Sequence, residues 1–225
     1  MSERVKPSRR YRSAVRAEQA QRTQGRILEA ARTLFLERGF AGTTIAAVAE
    51  EAGVAPETVY AVYRTKAGLL GSVVRAAVLR DDGSEEVLEH RWVKDLLRLP
   101  GLPAQLAALA RHTARTVELT SPMHTVIAAA GSGNSELDDL RLELRDMRFD
   151  GQAQVIATIA DEQTLRPGLT VQEAADTFSA LASPELHHAL TADRGWSQRR
   201  YARWLEETTR AALLREEGTA SEPAA

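Results

Sequence analysis

Two groups of side chains in this 225-residue chain are of types that contact a polyanion. The first is cationic. Arg4, Lys6, Arg9, Arg10, Arg12 and Arg16 crowd the first sixteen residues with almost no apolar neighbours. A free segment of that kind is solvated, and on DNA its arginines suit phosphates or a minor groove. Lys66 stands before the amphipathic run AGLLGSVVRAAVL. A cation there opposes the helix dipole, whereas a phosphate would be held by the free N–H groups and by Lys66 itself. The second group is polar. Glu57 can accept from a cytosine amino group, and Thr58 can touch a thymine methyl. Glu57 also suits the first turn of any helix, through the same dipole.

Groups that make or break bonds are not arranged for it. His90, His112, His124, His187 and His188 form no HExxH or other ligand spacing, so no metal is expected. The chain has no cysteine, which excludes thiolate chemistry and disulfides. It has no GxSxG elbow, P-loop or GxGxxG, so neither a catalytic role nor a cofactor is expected. Gly131-Ser132-Gly133-Asn134 follows no strand and lacks a lysine, and reads as a helix break. Asp81-Asp82 and Asp138-Asp139 are paired carboxylates in sequence only.

The contact residues need a scaffold, and Thr43–Lys66, TTIAAVAEEAGVAPETVYAVYRTK, supplies one. Thr44 is a good N-cap. Ile45, Val48, Ala49 and Ala52 fall on one helical face. Gly53 sits where the chain must leave the helix in a left-handed conformation. Pro56 suits the first position of a second helix, and Val59 and Tyr63 give that helix a short apolar face. Small Ala49 lets the two helices cross closely. The pattern is a helix-turn-helix, and the plain alternative is a helical hairpin in a bundle core. Before it, Ile27, Ala31, Leu34 and Phe35 line one face of a bracing helix over about 18–38, which Gly39 ends.

The composition is 44% hydrophobic, 27% charged and only 5% aromatic, and rich in Ala, Leu, Arg and Glu. Such a mix predicts an all-α fold. The net charge of −2 is unevenly spread. Residues 1–66 carry 12 Lys and Arg against 7 Asp and Glu, and residues 67–225 carry 17 against 24. A basic head on an acidic body is expected when only the head meets nucleic acid. No apolar run approaches the roughly 18 residues of a membrane span. The opening MSERVKPSRRYR carries no apolar stretch after its charges, so a cytoplasmic setting without membrane contact is expected.

Arg26 to Leu70 resembles the DNA-binding domain of the tetracycline-repressor (TetR) family of one-component transcriptional regulators. The matching features are ILEAARTLFLERGFAGTT, IAAVAEEAGVAPETVY and the closure Tyr60…Tyr63-Arg64-Thr65-Lys66…Leu69-Leu70. The resemblance implies a three-helix head with a helix-turn-helix, and a larger helical domain for ligand binding and dimerisation. Carried over, Thr44 meets a phosphate, Pro56, Glu57, Thr58 and Ala61 face the major groove, Tyr60 and Lys66 hold the DNA backbone, and Arg64 is a further DNA-binding residue. Two positions depart from the family's common pattern. Val62 stands where His is frequent, and Ala61 where an aromatic is frequent.

Further helices are expected across the body, one ending near Ser121-Pro122 and one over about 136–162. The domains expected are a flexible basic arm at 1–16, the DNA-binding domain at 17–66, the effector-binding and dimerisation domain at 67–217, and a disordered tail at 218–225. The stretch from Arg166 to Leu214 also resembles the corresponding part of many TetR-type proteins. That likeness implies that the last long helices pair with those of a twofold mate. Leu181, Leu190, Trp204 and Leu213 are the expected interface residues, each equally able to serve as core. Trp92, His112, Met123, Phe149 and Phe178 are candidates for an effector pocket, with an apolar or aromatic small molecule as occupant. The function implied is a ligand-responsive homodimeric regulator, most often a repressor, on a near-palindromic double-stranded operator. Its heads would enter major grooves roughly 34 Å apart or wider. The alternative is an all-helical small-molecule-binding protein or enzyme without DNA binding.

Overall fold

The computed structural model describes residues 9–79, 84, 86–130 and 133–215, with side chains from residue 18 onward. These residues form ten α-helices and no β-strand. Residues 1–8 of the expected arm and the expected tail at 218–225 lie outside the described residues, and from Arg9 the backbone is already helical.

Helix α1 (Arg9–Gly42) carries the bracing face expected from its pattern, with Ile27, Ala31, Leu34 and Phe35 all buried. Its ladder breaks at Gly39, whose φ of 67° and ψ of −178° are open to glycine alone. Helices α2 (Ile45–Ala52) and α3 (Pro56–Tyr63) follow. The Thr44 side chain accepts from the Ala47 N–H, Gly53 turns the chain at φ 64°, and Pro56 opens α3. Helix α4 (Lys66–Leu79) leads out of the head. After a 3-10 turn at Val87–Glu89 come α5 (Arg91–Leu97), α6 (Gly101–Ala129) and α7 (Ser135–Ile159). The last four elements are α8 (Val171–Leu181), α9 (Pro184–His188), a wide π turn at Ala189–Asp193, and α10 (Gln198–Leu213). Thr170 and Glu173 cap the start of α8 reciprocally.

Helix α6 differs from the sequence reading, which stops it near Ser121-Pro122. It runs through Pro122 to Ala129. A mid-helix proline costs about 3 kcal/mol. Here the ring is exposed, while Met123 and Ile127 beyond it are buried, and their packing offsets the broken bond.

Two apolar clusters hold the molecule together. The first joins α1 to α4 with Met123 and Ile127 of α6 and Leu137, Leu140 and Leu144 of α7. Apolar packing therefore continues across position 66, the boundary expected from sequence. The second cluster unites Val93, Leu96, Leu106, Leu109, Val155, Ile156, Phe178, Tyr201, Leu205 and Leu213. Helices α6 and α7 run through both. Between the clusters their buried positions turn polar, with Thr120 and Ser121 on α6 and Gln152 on α7. His124 lies beside this belt. Burial lowers its pKa, Glu185 opposes that shift and Arg148 adds to it.

Close approaches fix how α4 is seated. A Cβ on Gly71 would come 2.6 Å from Leu140 Cδ1, and one on Gly68 would come 2.5 Å from the Tyr63 carbonyl oxygen. Alanine normally improves a helix by about 1 kcal/mol over glycine. At Gly68 the backbone oxygen cannot step aside, so Gly68→Ala should destabilise by about 1–3 kcal/mol, read as a lower urea midpoint. A pH effect follows from His124. Its folded pKa is below its unfolded value near 6.5, so the unfolded chain binds the proton first. The stability is complete above that value and is lost as pH falls through it toward the folded pKa. His124→Gln should flatten the decline of Tm between pH 7 and 5.

Candidate nucleic-acid interface

The outer face of α3 is free of the protein's own packing. Val59 turns inward and is wholly buried, while Pro56, Glu57, Ala61 and Arg64 are exposed and Thr58 is partly so. Tyr60 is 53% exposed and Val62 45%, a large apolar and phenolic area for a soluble helix. Thr44 is exposed at the start of α2, with its hydroxyl already capping Ala47. The Arg26 guanidinium lies beside the turn, 3.5 Å from where a Cβ on Gly53 would sit.

Arg64 closes α3 in an unusual conformation. Its φ is 61° and ψ −51°, and it alone among the described non-glycine residues has positive φ. The Thr65 N–H donates to the Tyr63 carbonyl at 2.6 Å, so Arg64 is the centre of a strained three-residue γ-turn. The Thr65 hydroxyl then accepts from the Gly68 N–H and caps α4.

Lys66 is engaged within the fold. Its ammonium donates to Phe40 O at 2.6 Å and Thr43 O at 2.9 Å, and sits 4.2 Å from the Phe40 ring centroid. An ammonium has three donors, so at most one remains for a phosphate. The resemblance assigned Lys66 to the DNA backbone, and in the structure its first role is to pin the start of α4 to the α1–α2 corner. Thr43, wholly buried, completes that corner, with its hydroxyl 3.0 Å from Leu34 O and 2.8 Å from Gly39 O. Sequence reasoning missed both contacts, because a carbonyl acceptor leaves no mark in a side-chain pattern.

The profile described as bacterial regulatory proteins, tetR family, matches residues 27–73. The DNA-binding head of this chain belongs to the tetR family. No curated protein matches the sequence. Among solved structures, NalD of Pseudomonas aeruginosa, the secondary repressor of the MexAB-OprM multidrug efflux pump, is 25% identical. It aligns over 89% of this chain and 100% of its own, with a TM-score of 0.65. The SmeT–triclosan complex is 21% identical over 90% and 99%, with a TM-score of 0.62. FadR of Bacillus subtilis in complex with stearoyl-CoA is 17% identical over 82% and 96%, with a TM-score of 0.60. The latter two extend the likeness as one of fold, so the body as well as the head has the architecture of a TetR-family regulator.

Of the residues read as an effector pocket in this TetR-like body, the structure brings two together. Trp92 and His112 stack with centroids 3.7 Å apart and planes 10° apart, and Trp92 Nε1 donates to His90 Nδ1 at 3.2 Å. Phe178 is wholly buried in the second cluster, Met123 belongs to the first, and Phe149 is half-buried. An open groove of about 340 Å³ near Leu102, Arg210 and Leu214 touches none of the five. Of the residues read as a dimer interface, Leu181, Leu190 and Trp204 are partly exposed. Leu213 is wholly enclosed within its own chain and offers a partner no surface. Trp196 packs edge-on to Trp204 at 6.0 Å, and Arg200 lies 4.0 Å over the Trp196 ring.

Removing the Lys66 ammonium strands the Thr43 carbonyl and leaves Phe40 O only its long bond from the Thr43 N–H at 3.4 Å. Lys66→Ala should therefore cost about 1–3 kcal/mol of stability, visible as a lower urea midpoint without any DNA present. An unchanged midpoint would return Lys66 to the role of a surface phosphate contact.

Proposed function

We propose that the protein is a homodimeric, effector-responsive transcriptional regulator, acting as a repressor on a near-palindromic DNA operator. The observation that carries the reading is the exposed outer face of α3, held at a fixed angle by the Lys66 corner. In this reading Pro56, Glu57, Thr58 and Ala61 enter the major groove. Thr44, Tyr60 and Arg64 meet phosphates on either side of it, with Lys66 contributing its remaining N–H. The basic leader adds phosphate contacts beyond the head. Leu181, Leu190 and Trp204 belong to the surface that joins two copies, which sets the two α3 helices at a spacing matched to the groove repeat.

The effector acts by linkage. A small molecule that binds better to a dimer with wrongly spaced heads lowers operator affinity by the ratio of its affinities for the two states. The SmeT–triclosan and FadR–stearoyl-CoA structures support a ligand-holding body of this fold. Membrane insertion does not enter the reading, since no helix among the described residues is long and apolar enough to cross a membrane. The chemistry is that of binding rather than turnover.

Fluorescence anisotropy with DNA from upstream of the protein's own coding sequence tests the proposal. Affinity should fall with salt at a slope of about −0.9 per neutralised phosphate. Arg64→Ala should weaken binding to all sequences alike and reduce that slope by about 1. Tyr60→Phe should also weaken binding while Tm stays unchanged. Binding without sequence preference, or without a salt slope, overturns the reading.

A further inference from the structure

The apolar stripe of α7 is interrupted at two successive inward positions. Leu137, Leu140, Leu144, Val155 and Ile156 are buried, and between them stand Arg148 and Gln152, one turn apart on the same face. Around them the body gathers more polarity than packing requires. Arg148 Nη1 donates to Ser179 O at 2.9 Å and Ser179 Oγ at 3.0 Å. It forms no ion pair among the described residues, its charged neighbours being Glu185, which is exposed, and Arg145. Tyr201 of α10 is wholly buried, and its hydroxyl has no partner among the described residues. It feels the Arg148 charge. His187 of α9 is 3% exposed and packs edge-on to Tyr201 at 4.7 Å. Its Nε2 lies 2.9 Å from Gln198 Oε1, which leaves Nδ1 as an unmatched acceptor, and Gln152 Oε1 is another.

A buried polar atom without a partner costs about 1–3 kcal/mol, and native folds carry few of them. Four stand unmatched among the described residues, and three of them, on α7, α9 and α10, accompany a half-buried arginine that no carboxylate bonds; a guest that supplies what is missing explains those three together. The missing pieces are one negative charge with a planar pair of oxygens, for the rest of the guanidinium fork and the phenol, and a hydroxyl hydrogen, which one of the two acceptors takes at a time. A phosphate dianion would carry a charge too many for a single guanidinium. We propose that this belt is an effector subsite for a small hydroxycarboxylic acid, its carboxylate on Arg148 and Tyr201 and its hydroxyl toward His187 and Gln152. Directly after His187 in the chain runs an irregular segment, the π turn at Ala189–Asp193 followed by Gly195, whose φ is 66°. Such turns concentrate at functional sites. The subsite rests on the effector-responsive reading only for its consequence on DNA; the binding itself stands apart from it.

Calorimetry on the full-length protein tests this with 3-hydroxybenzoate and 3-hydroxyoctanoate, each beside its neutral amide. At least one acid should bind, and its amide should bind about tenfold or more weakly, the weight of one charge-assisted hydrogen bond. Arg148→Gln should bring the acid-to-amide ratio close to one. Tyr201→Phe, which keeps the buried ring, should weaken the acid alone by about tenfold. Loss of operator affinity on adding the acid would link the subsite to regulation. Binding of the acid without any DNA binding would sink the regulator reading and leave the subsite. Normal operator binding with neither acid bound, or an acid-to-amide ratio that persists in Arg148→Gln, overturns the subsite.

Discussion

The ammonium of Lys66 between two backbone carbonyls is the contact on which the rest of the head depends. Helix α1 breaks at Gly39, and the chain must then turn sharply to begin α2. That turn takes the Thr43 carbonyl out of any helical ladder and leaves Phe40 O only a long bond from the Thr43 N–H, and a buried carbonyl needs a donor. Lys66 donates to both from the first position of α4. One side chain therefore ties the corner that aims α2 and α3 to the helix that leaves the head. The γ-turn at Arg64 and the glycine at 68 are the geometric conditions for it. Without the reversal at Arg64, α4 would not start at the corner, and with a Cβ at 68 it would not clear the Tyr63 carbonyl.

Most of the head was legible in the sequence. The cap at Thr44, the left-handed Gly53, the proline opening α3 and the buried stripe of α1 follow from rules that concern one residue and its neighbours along the chain. The body was legible as helices and less so as sites. Pro122 misled because its local cost is fixed, whereas the packing of Met123 and Ile127 that offsets it comes from helices far away in sequence. Lys66 misled because its partners are backbone atoms 23 and 26 residues distant. Leu213 was read as interface or core on equal terms, since an apolar residue on an amphipathic helix does not say whose core it enters. Arg148 and Gln152 did leave a signal, four and eight residues after Leu144 on a face otherwise apolar. A polar residue in that register is informative because burying it unpaired is costly.

In the proposed reading, the two apolar clusters set a bound on how an effector acts on the DNA. Met123, Ile127, Leu137, Leu140 and Leu144 join α6 and α7 to the head. Five such side chains contribute about 7–15 kcal/mol at roughly 1.5–3 each. An effector that reverses a 99:1 population needs a differential affinity worth about 5.5 kcal/mol. The junction therefore exceeds what such a ligand has available, and a mechanism that peels the head from the body is excluded on magnitude. The cheaper motion keeps the first cluster whole and shifts it against the second.

That shift has a natural site. Helices α6 and α7 cross from one cluster to the other, and where they cross, the buried side chains are polar: Thr120, Ser121 and Gln152, beside Arg148. Apolar interdigitation resists sliding because each displaced methyl opens a void. A polar belt can exchange one hydrogen-bonding arrangement for another at smaller cost, and a charged guest that completes one arrangement selects it. In the proposed reading the unmatched atoms of Tyr201, His187 and Gln152 are therefore what makes the body bistable. Filling their places with apolar residues should give a more stable protein whose heads no longer respond, because the two arrangements would no longer lie close in free energy.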